Sequence, residues 1–276
     1  MIQNIYPHRL DSSYRPDQVP GEEDGVFLFS GEEVLCRYKR YDIEFPCVRD
    51  LADREGLIYL FDLDGKCYFL ETKDQPSVSG SYRWVAVRSL RRLDTPNKQL
   101  IFAAVTARHL NDWYRSNRFC GCCGSPLEPS KTQRAMCCPS CGKIFYPKIN
   151  PVVIIGITCG ENILLTRYAG ERFSYYALVS GFTEVGESLE ETVARSVRSK
   201  IGLYVTNIRY YKSQPWGFSG NILAGYFCDV VGDPAIHMDA NDKEEAIWMP
   251  REAVPGLPDD FSLTNDMMTA FRNGEA

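Results

Sequence analysis

The sequence predicts an α+β protein in three segments, and three observations carry that expectation. Short runs rich in aromatic and β-branched residues fill the first part of the chain. Six of the eleven cysteines fall between Cys120 and Cys141. The remainder mixes strand-like runs with helical stretches and shows no βαβ regularity, which favours layered α+β packing over a parallel doubly wound sheet. The expected segments are a β-rich domain over 1–94, a connecting helix with a cysteine module over 95–147, and a mixed domain over 148–276.

Composition sets the outer bounds. The 276 residues are 44% apolar and 24% charged, ordinary for a globular protein with real cores. The net charge of -5 argues against a general nucleic-acid binder, which is usually basic. No apolar run is long enough to span a bilayer, and the N-terminus lacks the apolar core of an export signal. The expectation is a cytoplasmic protein without a membrane partner. In that compartment an odd number of cysteines reads as metal binding and core packing, not as a disulfide framework.

The elements follow in order. Residues 1 to about 20 are polar, with Pro7, Pro16 and Pro20, and read as irregular. In GLIYLFDLDGKCYFLETK, Asp64-Gly65 separates two apolar runs, a hairpin signal because this pair supplies positive φ angles. SYRWVAVRSL alternates as a further strand. Thr95-Pro96 reads as a helix start. Ile101, Phe102, Val105, His109, Leu110 and Trp113 then recur at helical spacing. His109 reads as a helix-surface or packing histidine, having no cysteine at ligand distance in sequence.

RFCGCCGSPLEPSKTQRAMCCPSCGKIFYP holds two CxxC pairs, Cys120/Cys123 and Cys138/Cys141, separated by fourteen residues. Each CxxC turn aims two thiolates at one point. Two such turns make a tetrahedral sulfur site suited to Zn²⁺, with no open position, hence structural and not catalytic. Cys122 and Cys137 are spare thiols beside it. Cys137 could replace Cys138 in a poorer CxxxC register. Cys36, Cys47, Cys67, Cys159 and Cys228 sit in apolar runs and read as core.

Beyond the cysteines, PVVIIGITCGENILLTRY reads as strand, turn and strand, and SYYALVSGF as another strand. It leads into GFTEVGESLEETVARSVRSKIGL, residues 181–203. NIRYYKSQPW, NILAGYFCDVV and EEAIWMP read as later strands, and DDFSLTNDMMTAFRNG as a closing helix.

Residues 181–203 resemble the box of the Nudix hydrolases: Gly, five residues, Glu, seven residues, then Arg-Glu-apolar-any-Glu-Glu-any-Gly-apolar. Gly181, Glu187, Arg195, Val197, Gly202 and Leu203 fit this pattern. The three later glutamates do not, and their places hold Ser196, Ser199 and Lys200. The positions are spaced i, i+3, i+4, on one helix face. Three carboxylates there would hold one or two hard divalent ions against a pyrophosphate. Two hydroxyls and an ammonium cannot, and Lys200 would repel a cation. Glu190 and Glu191 point well over about 100° away from position 196, on a face expected to be solvated.

With the cysteine pairs and Ser213-Gln214-Pro215-Trp216, the chain resembles the NADH pyrophosphatase branch of that family. That branch carries a zinc ribbon before its Nudix domain and SQPW after the box. The resemblance implies a Nudix fold, a mixed sheet between helices, over 148–276. It implies a homodimer that uses Mg²⁺ or Mn²⁺ to cut NAD(H) to nicotinamide mononucleotide and AMP, and some members act on NAD-capped RNA. It places Phe182 near the nicotinamide, and Ser213, Gln214, Pro215 and Trp216 in selecting the dinucleotide. Glu187 is expected to pair with Arg195, and Glu245 matches an outlying acid of the family. The family's SQPW continues x-Phe-Pro-x-Ser, whereas here Gly217-Phe218-Ser219-Gly220-Asn221 follows. Two functional expectations result. One is a pseudo-enzyme that binds NAD(H) or a related dinucleotide and hydrolyses it weakly or not at all. The alternative is an active Nudix hydrolase on NAD(H) or another nucleoside diphosphate derivative, using other metal ligands.

Overall fold

A computed structural model describes residues 1–39, 42–73, 77–93, 96–168, 175–238, 244–256 and 260–275. The expected helix start at Thr95 and the segment boundary at 94–95 lie outside these residues. The chain folds as two compact units. One comprises Ile2–Lys148 with Gly217–Gly220, and the other Met1, Ile149–Trp216 and Asn221–Ala276.

In the first unit the strands are β1 (Leu10–Asp11), β2 (Gly25–Ser30), β3 (Glu33–Lys39), β4 (Asp42–Glu44), β5 (Ile58–Leu63), β6 (Lys66–Glu71) and β7 (Arg83–Ala86). They form one sheet in the order β1-β5-β6-β2-β3-β4, with β7 added to β3. The β5–β6 hairpin is the expected one. Leu63 faces Lys66 across a loop in which Asp64 and Gly65 have φ of 56° and 85°, and both positive angles match the twist of the flanking strands. The strand expected over SYRWVAVRSL is only half present. After Ala86 the chain coils into a 3₁₀ helix, Val87–Arg92, whose Val87 and Leu90 are buried. Spacing i, i+3 puts both on one side of such a helix.

Helix α1 (Lys98–Ser116) buries Ile101, Ala104, Val105 and Trp113, and His109 Nε2 is 2.8 Å from the Lys148 carbonyl oxygen. The cysteine module follows, with β8 (Glu128–Pro129), β9 (Met136–Cys137) and β10 (Ile144–Phe145) in the order β10-β9-β8.

The second unit contains β11 (Asn150–Cys159), β12 (Asn162–Tyr168), β13 (Val179–Phe182), α2 (Leu189–Ile201), β14 (Tyr204–Trp216), β15 (Asn221–Val231), β16 (Glu244–Pro250) and α3 (Leu263–Arg272). The sheet order is β14-β15-β11-β12-β16, with β13 also on β11. Only β11 and β15 pair in parallel among these ladders of described residues. Side chains alternate across β11 with period two. Val152 and Ile154 join Leu263, Met267 and Phe271 of α3 on one face. Val153, Ile155 and Ile157 join Val193, Val197 and Ile201 of α2 on the other. A mixed sheet between helices, as expected, is the result.

Phe271 is 1% exposed at the α3 side. Phe271→Ala is expected to destabilise this unit by about 3–5 kcal/mol, through lost transfer energy and the cavity left behind. Denaturant unfolding followed by hydrogen exchange on β11 and α3 reads it out.

Candidate functional site

The cysteine module closes on a single point. The sulfurs of Cys120, Cys123, Cys138 and Cys141 all lie within 4.8 Å of one another. Two turns of matching form bring them there. Gly124 N donates to Cys120 O at 2.9 Å and Gly142 N to Cys138 O at 3.0 Å. Gly124 and Gly142 have φ of 75° and 72°, open to glycine without strain. Hydrogen bonds from the Ser125 hydroxyl and backbone hold the Cys123 thiol down to about 6, favouring the thiolate a metal binds. Cys138 is buried and supplies the ligand, while Cys137 lies in β9 outside the cluster, which decides the register left open by sequence. The four-sulfur set fits Zn²⁺ with no open coordination position.

At the other candidate site, β13 runs into a loop and then α2. Ser188 caps the helix: its Oγ accepts from Glu191 N at 3.2 Å, while Glu191 accepts from Ser188 N at 2.7 Å. This is the reciprocal capping box of a Ser-x-x-Glu start. Gly202 ends the helix in the left-handed region at φ 76°. Just before the N-terminal cap, Glu187 braces the loop. It is ion-paired with Arg195 and accepts from Thr192 Oγ1 at 3.0 Å and Glu184 N at 3.1 Å. Arg195 also donates to Phe182 O at 2.8 Å, joining helix, loop and strand. Principally through Arg195, the Glu187 carboxyl is lowered to about 2.

The three positions 196, 199 and 200 do not share one environment. Ser196 is buried against the sheet, and a Cβ on Gly181 would fall 2.0 Å from its Oγ. That hydroxyl has no hydrogen-bond partner. Ser199 and Lys200 are exposed, and Ser199 Oγ turns back to Ser196 O at 3.4 Å. Phe182 is 60% exposed, so its ring is not core. Pairing opposite Val152, it stands on the sheet face that carries α3. Trp216 is partly buried against that same core. Gln214 is fully buried there; its amide donates to Phe261 O at 2.7 Å and accepts from Leu263 N at 2.6 Å. Ser213 and Pro215 are exposed.

Comparison with known proteins identifies these features. The NUDIX domain family matches residues 148–270, and the NADH pyrophosphatase zinc ribbon domain matches residues 115–146. The chain thus carries a NUDIX domain preceded by a NADH pyrophosphatase zinc ribbon domain. Over 170 residues it is 36% identical to a protein of Salmonella heidelberg (strain SL476) named NAD-capped RNA hydrolase NudC, covering 62% of this chain and 66% of that one. A protein of the same name from Pectobacterium atrosepticum is 37% identical over 170 residues, covering 62% and 65%. The match thus spans just under two thirds of these relatives' length. A crystal structure of a NUDIX hydrolase from Nitrosomonas europaea overlaps at a TM-score of 0.47 and 19% identity, covering 56% of this chain and 91% of that one.

Among the described residues of the Nudix domain, three candidate carboxylates already have partners. Glu187 is taken by Arg195. Glu190, expected to be solvated, is exposed yet accepts the Tyr226 hydroxyl at 3.0 Å. Burial and that acceptor push the Tyr226 hydroxyl up to about 12. Glu245 is ion-paired with Arg167 at 3.0 Å, opposite it on β12. Its strand neighbours Ile247 and Met249 pack on the α3 side, the face away from Ser196. Among the described residues, the four cysteines are the only cluster of three or more metal-ligating side chains close enough to hold an ion. No helix is long and apolar enough to cross a membrane.

Two outcomes test this geometry. Because folding lowers the Glu187 pKa from 4.5 to about 2, the brace stabilises fully above the unfolded value and fades as pH falls toward about 2. Glu187→Gln is expected to remove that part of the acid dependence, seen as a flatter unfolding midpoint between those values. Ser196→Ala deletes an unpartnered buried hydroxyl, and is expected to leave thermal stability unchanged or raise it by about 1 kcal/mol.

Proposed function

We propose that this Nudix domain binds NAD(H) or a related dinucleotide and hydrolyses its pyrophosphate weakly or not at all. The observation that carries this is the set of side chains at 196, 199 and 200: a buried serine, an exposed serine and a lysine. Pyrophosphate cleavage in this family depends on divalent ions that neutralise the charge developing on the phosphates. Glu187, Glu190 and Glu245 are engaged by Arg195, Tyr226 and Arg167, and among the described residues of this domain no three metal-ligating side chains gather at one point.

What remains suits binding. Phe182 offers an exposed ring for stacking against a flat base. Arg195, Glu187 and the Phe182 carbonyl oxygen hold the loop between β13 and α2 in one shape. Arg198 and Lys200 place positive charge on the last turn of α2, where it can attract phosphate without a metal. The Arg198 guanidinium lies 5.1 Å from the Tyr204 ring centroid, which steadies it. Ser213, Pro215 and Trp216 remain the candidates for dinucleotide contact, while the Gln214 amide supports the chain before α3. The name of the relatives extends the candidate ligands to NAD-capped RNA, with recognition confined to the cap by the negative net charge of the chain. A cytoplasmic homodimer is part of this proposal.

The test is NADH turnover by the zinc-loaded protein with Mg²⁺ and then Mn²⁺, resolving AMP and nicotinamide mononucleotide, alongside NADH binding by calorimetry. The comparison protein carries Ser196→Glu, Ser199→Glu and Lys200→Glu together. The expected result is NADH binding without turnover by the natural chain, and turnover by the triple variant. Turnover by the natural chain at ordinary enzyme rates, about 1–1000 per second, would overturn the reading and require other metal ligands.

A further inference from the structure

The N-terminal sheet, which the Nudix reading does not use, holds a cavity of about 540 Å³. That lies within the usual span of small-molecule pockets, about 300–1,000 Å³. Lys66 and Tyr68, two residues apart on β6 and so on one face of the sheet, both line it. Tyr68 is only 5% exposed. Among the described residues its hydroxyl has no hydrogen-bond partner, although burial pushes it up to about 12 and so keeps its proton in place as a donor. Lys66 Nζ lies 3.5 Å from Cys47 Sγ and 5.8 Å from the Tyr68 ring centroid. No carboxylate pairs with it among the described residues.

The two arginines on the wall are already ion-paired. Arg37 is ion-paired with Glu44, and Arg49 with Glu23. Asp50 accepts the Tyr82 hydroxyl at 2.8 Å and Cys47 N at 2.9 Å. The Arg37 guanidinium lies 5.5 Å from the Tyr82 ring centroid. Among the described residues, the cavity therefore presents an ammonium with no ion-paired carboxylate and a tyrosine hydroxyl with no acceptor, on side chains two residues apart on β6. A carboxylate accepts from an ammonium and from a hydroxyl alike, and its charge is what the ammonium lacks. Asp50, which has no ion-paired cation among the described residues, would oppose a second negative charge.

We propose that this cavity is a binding site for a small carboxylate carrying a flat apolar group, its charge held by Lys66 and Tyr68 and its ring against Phe45 and Tyr82. The site is separate from the Nudix domain's ligand and stands whether or not that domain turns over NADH.

The experiment is a chemical-shift titration of the full zinc-loaded chain with benzoate, phenyl phosphate and benzamide. A second readout is site-resolved alkylation of Cys47 by iodoacetamide. Benzoate is expected to saturate amides of β6 and to slow Cys47 alkylation. Lys66→Met and Tyr68→Phe are each expected to weaken benzoate at least about tenfold, the scale of a hydrogen bond to a charged group. Thermal melting and zinc content report that each variant folds, since both replacements keep the apolar part of the side chain. No saturable benzoate shift, or equal binding of benzoate by natural chain and Lys66→Met, would overturn the proposal. Benzamide binding as well as benzoate would show an apolar cavity only and also overturn it. Tighter binding of phenyl phosphate than benzoate would overturn the choice of a carboxylate.

Discussion

Where α2 crosses β13 there is no room for a side chain on the strand. A Cβ on Gly181 would sit 2.0 Å from Ser196 Oγ and 2.9 Å from Ser196 Cβ. Much of the Nudix domain depends on that close crossing. It lets Val193, Val197 and Ile201 press on the sheet, and it brings Arg195 within reach of the Phe182 carbonyl oxygen. It also turns position 196 inward, so that the box residues form an inner, packed position and an outer, solvated pair. A serine satisfies the packing at 196 and leaves its hydroxyl unpartnered. The contacts that hold this loop and helix in place are packing and an ion pair, and they do not involve metal chemistry.

Legibility in the sequence follows the range of the interaction. The Asp64-Gly65 turn, the paired CxxC motifs and the Gly181–Glu187–Arg195 spacing are local, and the structure has each where the residues place it. Alternation over SYRWVAVRSL promises too long a strand, because alternation alone does not tell where a partner strand ends; β7 stops with Ala86 opposite Glu33. Tertiary interactions lie out of reach. Nothing in ESLEETVARS announces that Glu190 will meet a tyrosine on β15. Nothing in SQPW separates a glutamine that faces a ligand from one that ties down the start of a helix. Glu245 reads as a spare acid, and only the strand register shows it paired with Arg167 and set on the α3 face.

The same limit hides the N-terminal cavity. KCYFLE reads as an ordinary strand, and the shared face of Lys66 and Tyr68 is visible from its alternation. What is not visible is that Cys47, from a separate turn, sits against the lysine, or that Tyr82 comes to the same wall and gives its hydroxyl to Asp50.

The parallel pairing of β11 with β15 bears on how this domain comes into being. Asn150 pairs with Asn221 and Thr158 with Asp229, so the middle of the sheet joins segments far apart along the chain. Parallel neighbours require such a crossover, and pairings of long sequence separation slow folding because the loop must close before they form. During synthesis, β11, β12, β13 and α2 emerge first and must wait for β15 to complete the ladder. Until then β11 offers an open apolar edge, the kind of surface on which nascent chains aggregate.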